Sequence, residues 1–170
     1  MKNKAIIIAG LMITSCICFV SCNLLQITVP IIENEKEISS AEDEFSDLEN
    51  SILTAINNMR KEHNLDILVV NEDLNAAAAI RAMEQVERFD HTRPDGTPWW
   101  TVSPLCKGEC LARGNKNNIN KVVKTWQLSP QHNALLLDDR FKNVGIAIYE
   151  FNDTYYVALE LGTNILYKDK

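Results

Sequence analysis

Apolar residues recur at three- and four-residue spacing in the first half of the chain, which predicts two helices. The first should begin at Ser39, because Glu42 follows three residues later in a capping-box pattern. Its apolar stripe consists of Phe45, Leu48, Ile52, Ile56 and Met59. After an apolar segment at 65–70, Asn71 should cap the second helix. That helix should end beside His91, and its predicted buried stripe is Leu74, Ala78, Ala82, Val86 and Phe89.

The second half of the chain predicts strands separated by turns and short helices. Pro94 and the Asp95-Gly96 pair favour a chain reversal directly after His91. A strand is expected near 108–113, followed by a compact amphipathic helix at 119–126 and, after the Ser129-Pro130 break, one further helical turn. Two β-branched and aromatic strands at 143–151 and 154–161 flank Asn152-Asp153, a good hairpin turn. Helices early and strands late indicate an α+β fold.

The N-terminus has the pattern of a bacterial lipoprotein signal. Lys2 and Lys4 precede a short apolar run, and small residues then lead to Cys16 and to Cys22. We expect Cys22, or else Cys16, to be acylated and to become the new N-terminus. An ordinary cleaved signal or an uncleaved anchor helix are the alternatives. Each of these places the rest of the chain outside the cytoplasm.

The predicted organisation divides the 170 residues into four segments. Residues 1–22 form the signal peptide, 23–40 a tether, 41–165 the folded domain and 166–170 a tail. The formal net charge of −6 opposes binding to phosphate backbones, so nucleic acid is excluded as a partner. The folded part retains Cys106 and Cys110, which would either form a disulfide across a tight turn at Gly108 or remain free thiols.

Three side chains that can bind a metal or move a proton stand beside breaks in regular backbone: His91, Glu109 and His132. Two imidazoles and one carboxylate could hold zinc with an open coordination position, or the histidines could act as an acid–base pair. Alternatively, each histidine only holds loops together through hydrogen bonds. No GxSxG elbow, HExxH motif or phosphate-binding loop is present. Trp99, Trp100 and Ser129 are candidates to line the same cleft, although tryptophans at such positions also serve to fill cores.

The order of motifs resembles the CAP superfamily of cysteine-rich secretory proteins, antigen 5 and plant pathogenesis-related proteins, in its bacterial extracellular branch. The motifs are H-x-RPDG from His91, GE-x-LA from Gly108, W-x-x-SP-x-H from Trp126, and the VGIAIY and YYV strands, within residues 45–162. The resemblance implies a three-layer α-β-α sandwich around a small antiparallel sheet. It also implies a cleft in which His91, Glu109 and His132 match the family's two histidines and the glutamate of its GEN motif.

This chain departs from the family pattern at four positions of the implied cleft. Cys110 stands where the family has asparagine, and the SPGHR motif is replaced by SPQHN. Ser129 occupies the position of a second glutamate, so a four-residue site is not expected.

The resemblance implies a binding module rather than an enzyme. Lipid, glycan-like or protein ligands are expected, with Zn²⁺ or another divalent cation optionally held in the cleft, and with the membrane as a partner through the lipid anchor. A zinc-dependent hydrolase is the alternative, in which His91 and His132 hold the metal and Glu109 activates water. A purely structural envelope protein is the third possibility.

Overall fold

The protein is described by a computed structural model that covers residues 32–115 and 117–163. The predicted signal peptide with Cys16 and Cys22, and the predicted tail at 166–170, lie outside these residues. The helices are α1 (Ile32–Glu62), α2 (Glu72–Glu84), α3 (Val122–Leu128) and α4 (Pro130–Leu136). The strands are β1 (Val69–Val70), β2 (Gly108–Gly114), β3 (Phe141–Phe151) and β4 (Thr154–Thr163). Short 3₁₀ helices at Trp99–Val102 and Ile119–Lys121 complete the set.

The four strands form one mixed sheet in the order β1-β3-β4-β2. β1 runs parallel to β3, whereas β4 is antiparallel to both of its neighbours, β3 and β2. The predicted hairpin turn is confirmed: Asn152 and Asp153 have φ values of 50° and 58°, the left-handed conformation that a tight hairpin of this type requires.

Side chains alternate along each strand, so both faces of the sheet carry apolar residues, and helices cover both faces. The larger core contains residues of α1, α3 and α4 together with Cys110, Ile146 and Leu159. The smaller core joins α2 to the other face through Ala78, Ala82, Leu111, Ala147 and Ala158. The predicted α+β fold, a three-layer α-β-α sandwich, is therefore confirmed, but the sheet is mixed rather than antiparallel because β1 runs parallel to β3.

Two local predictions were wrong, the start of the first helix and the end of the second. α1 already begins at Ile32, so Ser39 does not start it and the helix crosses the predicted end of the tether. α2 ends at Glu84 because the chain turns back to bring the carbonyl of Asp90 within 2.8 Å of the Arg81 guanidinium. Phe89 is consequently 42% exposed, with the Arg113 guanidinium stacked over its ring. The apolar segment at 65–70 is mostly exposed, because it forms the edge of the sheet and buries only Leu68.

Within the described residues, none of the helices combines the length and the apolar character needed to cross a bilayer.

Candidate functional site

Glu109 is the buried centre of the candidate site. It lies on β2 and faces the α2 layer, where its carboxylate is fully buried. Arg81 of α2 is also fully buried, and its Nε donates to Oε2 of Glu109 at 2.6 Å. The same guanidinium donates to Glu84 at 2.6 Å and to the carbonyl of Asp90 at 2.8 Å. Helix α2 and the loop that follows it are thus fastened to β2 through one guanidinium.

His91 reaches Glu109 from the loop after α2. Its Nδ1 lies 2.7 Å from Oε1 of Glu109, and its side chain is 54% exposed. The backbone amide of Trp99 donates to the carbonyl of His91 at 3.0 Å, and a bridge between Thr92 and Pro98 closes the reversal. Gly96 takes φ = +83° in this turn, a left-handed conformation that glycine adopts without strain. The predicted reversal is therefore confirmed, and it presents the imidazole at the edge of β2.

His132 approaches from the opposite layer of the sandwich. It lies on α4, which begins with Pro130 in its first turn, and its ring is half-buried. The centre of the His132 ring is 6.5 Å from the ring centres of His91 and of Trp126. The Trp126 indole is itself fixed by a hydrogen bond to the carbonyl of Leu111 on β2. Two histidines far apart in sequence therefore face each other at the β2 edge.

The two histidines have opposite electrostatic environments. The hydrogen bond to Glu109 raises the pKa of His91 above its ordinary value, against the effect of partial burial. Burial, followed by the nearby charge of His91, lowers the pKa of His132 below its ordinary value. Burial acts to raise the pKa of Glu109, but hydrogen bonds from His91 and Arg81 outweigh it, and the pKa is lowered. The two histidines therefore have pKa values shifted in opposite directions, and His91 is the more readily protonated of the pair.

Glu160 is a member of the site that the sequence analysis missed. It lies directly opposite Glu109 in the register of β2 and β4 and is fully buried. Burial and the negative charge of Glu109 raise the pKa of Glu160 to about 9. The Glu160 carboxyl interacts with the Glu109 carboxylate and with the Cys106 thiol, and two carboxyl groups in contact require one of them to carry a proton. The two glutamates form a buried pair in which Glu109 holds the charge and Glu160 holds the proton.

Both missed residues, Arg81 and Glu160, left a signal in the sequence. Arg81 falls on the apolar stripe of an alanine-rich helix, and Glu160 interrupts the apolar strand VALELG. A charged residue at a position that the periodicity assigns to the core is rarely buried without a partner. Each could have been read as half of a buried ion pair or carboxyl pair.

The residues predicted to line the cleft differ in their burial and in their surroundings. Trp99 is half-buried against Leu74 and Ala77, whereas Trp100 is 54% exposed. Both tryptophans line a concavity of about 370 Å³, and the histidines are not among its lining residues. Ser129 is the residue before α4 and makes no side-chain capping bond.

Cys106 and Cys110 are both buried and free, so of the two alternatives for this pair the structure contains the thiols. Cys106 packs with Leu74 and Ala77 in the α2 layer, and Cys110 lies in the core on the other face of the sheet. Burial raises the pKa of both thiols, which are therefore neutral.

The donor set proposed for a metal fits only in part. Within the part of the chain that the structure describes, no group of three or more His, Cys, Asp or Glu side chains is arranged to hold a metal ion. Arg81 and His91 each bind one oxygen of the fully buried Glu109 carboxylate, so in this geometry Glu109 orients His91 rather than facing an open metal position. The two imidazoles still fit a divalent cation, because neutral imidazole nitrogens are common metal ligands.

The three-layer α-β-α sandwich and the paired histidines at one sheet edge agree with the resemblance to the CAP superfamily, and sequence comparison identifies the same family. The profile of the Cysteine-rich secretory protein family, CAP, matches residues 53–163, more than half of the chain. The chain therefore belongs to this family.

One relative of the chain comes from a bacterium. The chain is 27% identical over 126 residues to the protein YkwD of Bacillus subtilis (strain 168), a match that spans 69% of this chain and 49% of YkwD. About half of that relative's length thus has no counterpart in the match.

Solved structures share the fold at low identity. An outer surface protein from Borrelia burgdorferi has a TM-score of 0.52 at 20% identity, with 78% of this chain and 95% of that chain covered. An extracellular protein containing an SCP domain from Bacillus anthracis has a TM-score of 0.56 at 16% identity, with 78% and 45% covered. A cysteine-rich secretory protein from Staphylococcus aureus has a TM-score of 0.55 at 21% identity, with 70% and 39% covered.

Proposed function

We propose that this protein is an extracytoplasmic binding module, held at the membrane by a lipid on Cys22 or Cys16, whose ligand enters the cleft between His91 and His132. The lipoprotein-like leader supports the location, as do relatives that are named as an outer surface protein and as an extracellular protein. The ligand is a lipid, a glycan or a protein segment.

The engagement of Glu109 is the observation that favours binding over hydrolysis. A zinc hydrolase would need Glu109 to take a proton from water. Its carboxylate is fully buried, and both of its oxygens are bound by Arg81 and His91. The side chain is therefore a buried anion that positions His91, and its full burial separates it from solvent water.

A divalent cation is an optional part of this proposal. Metal-bound histidines commonly donate their second ring nitrogen to a carboxylate, which is the arrangement of His91 Nδ1 and Glu109. His91 and His132 would hold the ion, and the bound cation would supply a Lewis-acidic attachment point for an anionic or carbonyl group. Glu109 fixes the ring of His91 in either case.

Zinc titration by calorimetry tests the cleft. We expect zinc to bind the unmodified protein, and His91→Ala or His132→Ala to abolish binding. His63→Ala is the matched control, because His63 is an exposed histidine just beyond α1 and should leave binding unchanged. If no heat of binding is measured at micromolar zinc, the cation is excluded from the proposal, and so is the zinc-dependent hydrolase as the alternative function. Turnover of ester or peptide substrates that requires Glu109 would instead overturn the binding function.

A further inference from the structure

The concavity beside Trp99 and Trp100 carries features of a ligand site in its own right. Its lining consists of Trp99, Trp100, Pro104, Cys106 and Lys107. We propose that this tryptophan pocket binds a sugar that carries a carboxylate. The proposal goes beyond the histidine cleft and does not depend on whether a metal binds there.

Two indole rings form the walls of the tryptophan pocket. Trp99 and Trp100 lie edge to face, with ring centres 5.6 Å apart and ring planes at 86°. Trp99 is fixed by packing on Leu74 and Ala77, while Trp100 stays 54% exposed. Aromatic faces carry partial negative charge and attract the positively polarised C–H groups of a sugar ring. Perpendicular indoles offer such a ring a rigid corner.

Lys107 gives the tryptophan pocket its charge preference. Its ammonium donates one hydrogen bond, to the carbonyl of Pro104 at 2.9 Å, and a lysine ammonium has three N–H donors. The backbone amide of Lys107 donates to the carbonyl of Leu161 at 2.7 Å, which holds the segment against β4. A local cation in a chain of net charge −6 favours an anionic ligand at this point over the rest of the surface. A carboxylate on the sugar would accept hydrogen bonds from the remaining N–H donors of the Lys107 ammonium.

The floor and size of the pocket agree with a single small ligand. Cys106 is 2% exposed, and burial raises the pKa of its thiol, so the floor is uncharged. A volume of about 370 Å³ lies at the lower end of the range for small-molecule sites, roughly 300–1,000 Å³.

Tryptophan fluorescence of the full-length chain, in a polyoxyethylene detergent that contains no sugar, tests the proposal. N-acetylmuramic acid and N-acetylglucosamine are the probes, because they differ by one carboxylate-bearing group. Trp126 is 1% exposed and gives a constant background. We expect saturable quenching by N-acetylmuramic acid, at least about tenfold tighter than by N-acetylglucosamine.

Four variants locate the effect. Trp100→Ala should weaken binding of N-acetylmuramic acid by about tenfold or more, and Lys107→Met should remove the preference between the two sugars. Phe89→Ala, which removes an exposed aromatic ring outside this pocket, should change neither. His91→Ala should also leave sugar binding intact, so failure of the histidine cleft would not be mistaken for failure of this site.

Several results would overturn the sugar site. Equal affinity for both sugars in the unmodified protein would remove the role of Lys107. Binding that survives Trp100→Ala, in a variant whose circular dichroism is unchanged, would place the ligand elsewhere. Absence of sugar binding together with Trp100-dependent binding to phosphatidylcholine vesicles would make this face a membrane contact.

Discussion

Arg81 is the residue on which the buried charges of the site depend. Its guanidinium is completely buried and bonds Glu109, Glu84 and the carbonyl of Asp90. A buried ion pair contributes little net stability, but removing one partner leaves the other charge buried and unpaired. Glu160 differs, because it is already neutral and loses no charge interaction when replaced by an amide.

Arg81→Met should destabilise the protein by about 3–5 kcal/mol, because Glu109 would keep its charge in the interior without a fixed cation. Glu160→Gln has nearly the same shape and should change the free energy of unfolding by less than about 1 kcal/mol. Urea denaturation followed by circular dichroism measures both. A large loss in Glu160→Gln would mean that Glu160 carries a charge or accepts a hydrogen bond that an amide cannot replace.

The two histidines should titrate on opposite sides of the ordinary imidazole pKa, which is about 6.5. NMR titration should give His91 the higher pKa, since Glu109 stabilises its charged form, and His132 the lower pKa, since burial disfavours its charge. Glu109→Gln should bring the pKa of His91 back toward the ordinary value. Identical titration of the two rings would contradict the hydrogen bond between His91 and Glu109.

These shifts also set the pH dependence of stability. Because its pKa is raised in the folded protein, protonated His91 stabilises the fold. This contribution is complete when the pH is below the pKa of His91 in the unfolded chain, and it disappears as the pH rises through the folded-state pKa. The lowered pKa of His132 works in the opposite direction: its contribution is present above the unfolded value and is lost as the pH falls through the folded pKa. The sign of each contribution can be checked by comparing His91→Gln and His132→Gln across the pH range 5–8, roughly the interval in which histidine titrates.

At the scale of elements, the close approach of α2 to the sheet fixes the distance between Arg81 and Glu109. The closest point is Gly145 on β3, where an added Cβ would lie 2.0 Å from the backbone carbon of Leu74. Backbone atoms cannot rotate away, so any side chain at this position pushes the helix off the sheet. The alanine-rich face of α2 allows the same proximity further along the helix.

Gly145→Ala should therefore destabilise the protein by about 3 kcal/mol, a typical upper value for overpacking, and should also disturb the contact between Arg81 and Glu109. Gly114→Ala is the comparison, because the atoms nearest its Cβ belong to the exposed side chain of Asn118, which can rotate at the cost of one hydrogen bond from the amide of Asn115. Thermal unfolding compares the two variants, and the pKa of His91 reports on the site. Equal midpoints for both variants would show that α2 does not pack as closely as described.

At the scale of the whole molecule, the proposed anchor decides where the folded domain works. A single acyl chain binds membranes weakly, whereas the multiple acylation of a bacterial lipoprotein gives lasting attachment. Mass spectrometry of the membrane-extracted protein should show an acylated N-terminal cysteine at position 22, or else at 16. Cys22→Ser should release the protein from the membrane, and Cys16→Ser serves as the comparison; an unmodified N-terminus elsewhere would contradict the anchor.

Much of the fold could be predicted because its elements carry local signals. Asn71 caps α2 through a bond from the amide of Leu74, and Asn152-Asp153 turns the hairpin, both as their residue types indicate. The end of α2 could not be predicted, because the apolar stripe continues to Phe89 while the helix ends at Glu84 and the chain turns to place the carbonyl of Asp90 against Arg81. The exposure of the apolar segment 65–70 could not be predicted either, because hydrophobicity does not distinguish an edge strand from an interior one.

The sequence by itself determined the family, the α+β class and the two histidines with Glu109 as the residues to examine, since motifs and periodicity are local properties of the chain. Only the tertiary structure decided that Arg81 and His91 bind the two oxygens of Glu109 and that Glu160 lies opposite it. Those relations depend on strand register and on how closely α2 packs against the sheet. Such distances join residues far apart in sequence, and no local pattern encodes them.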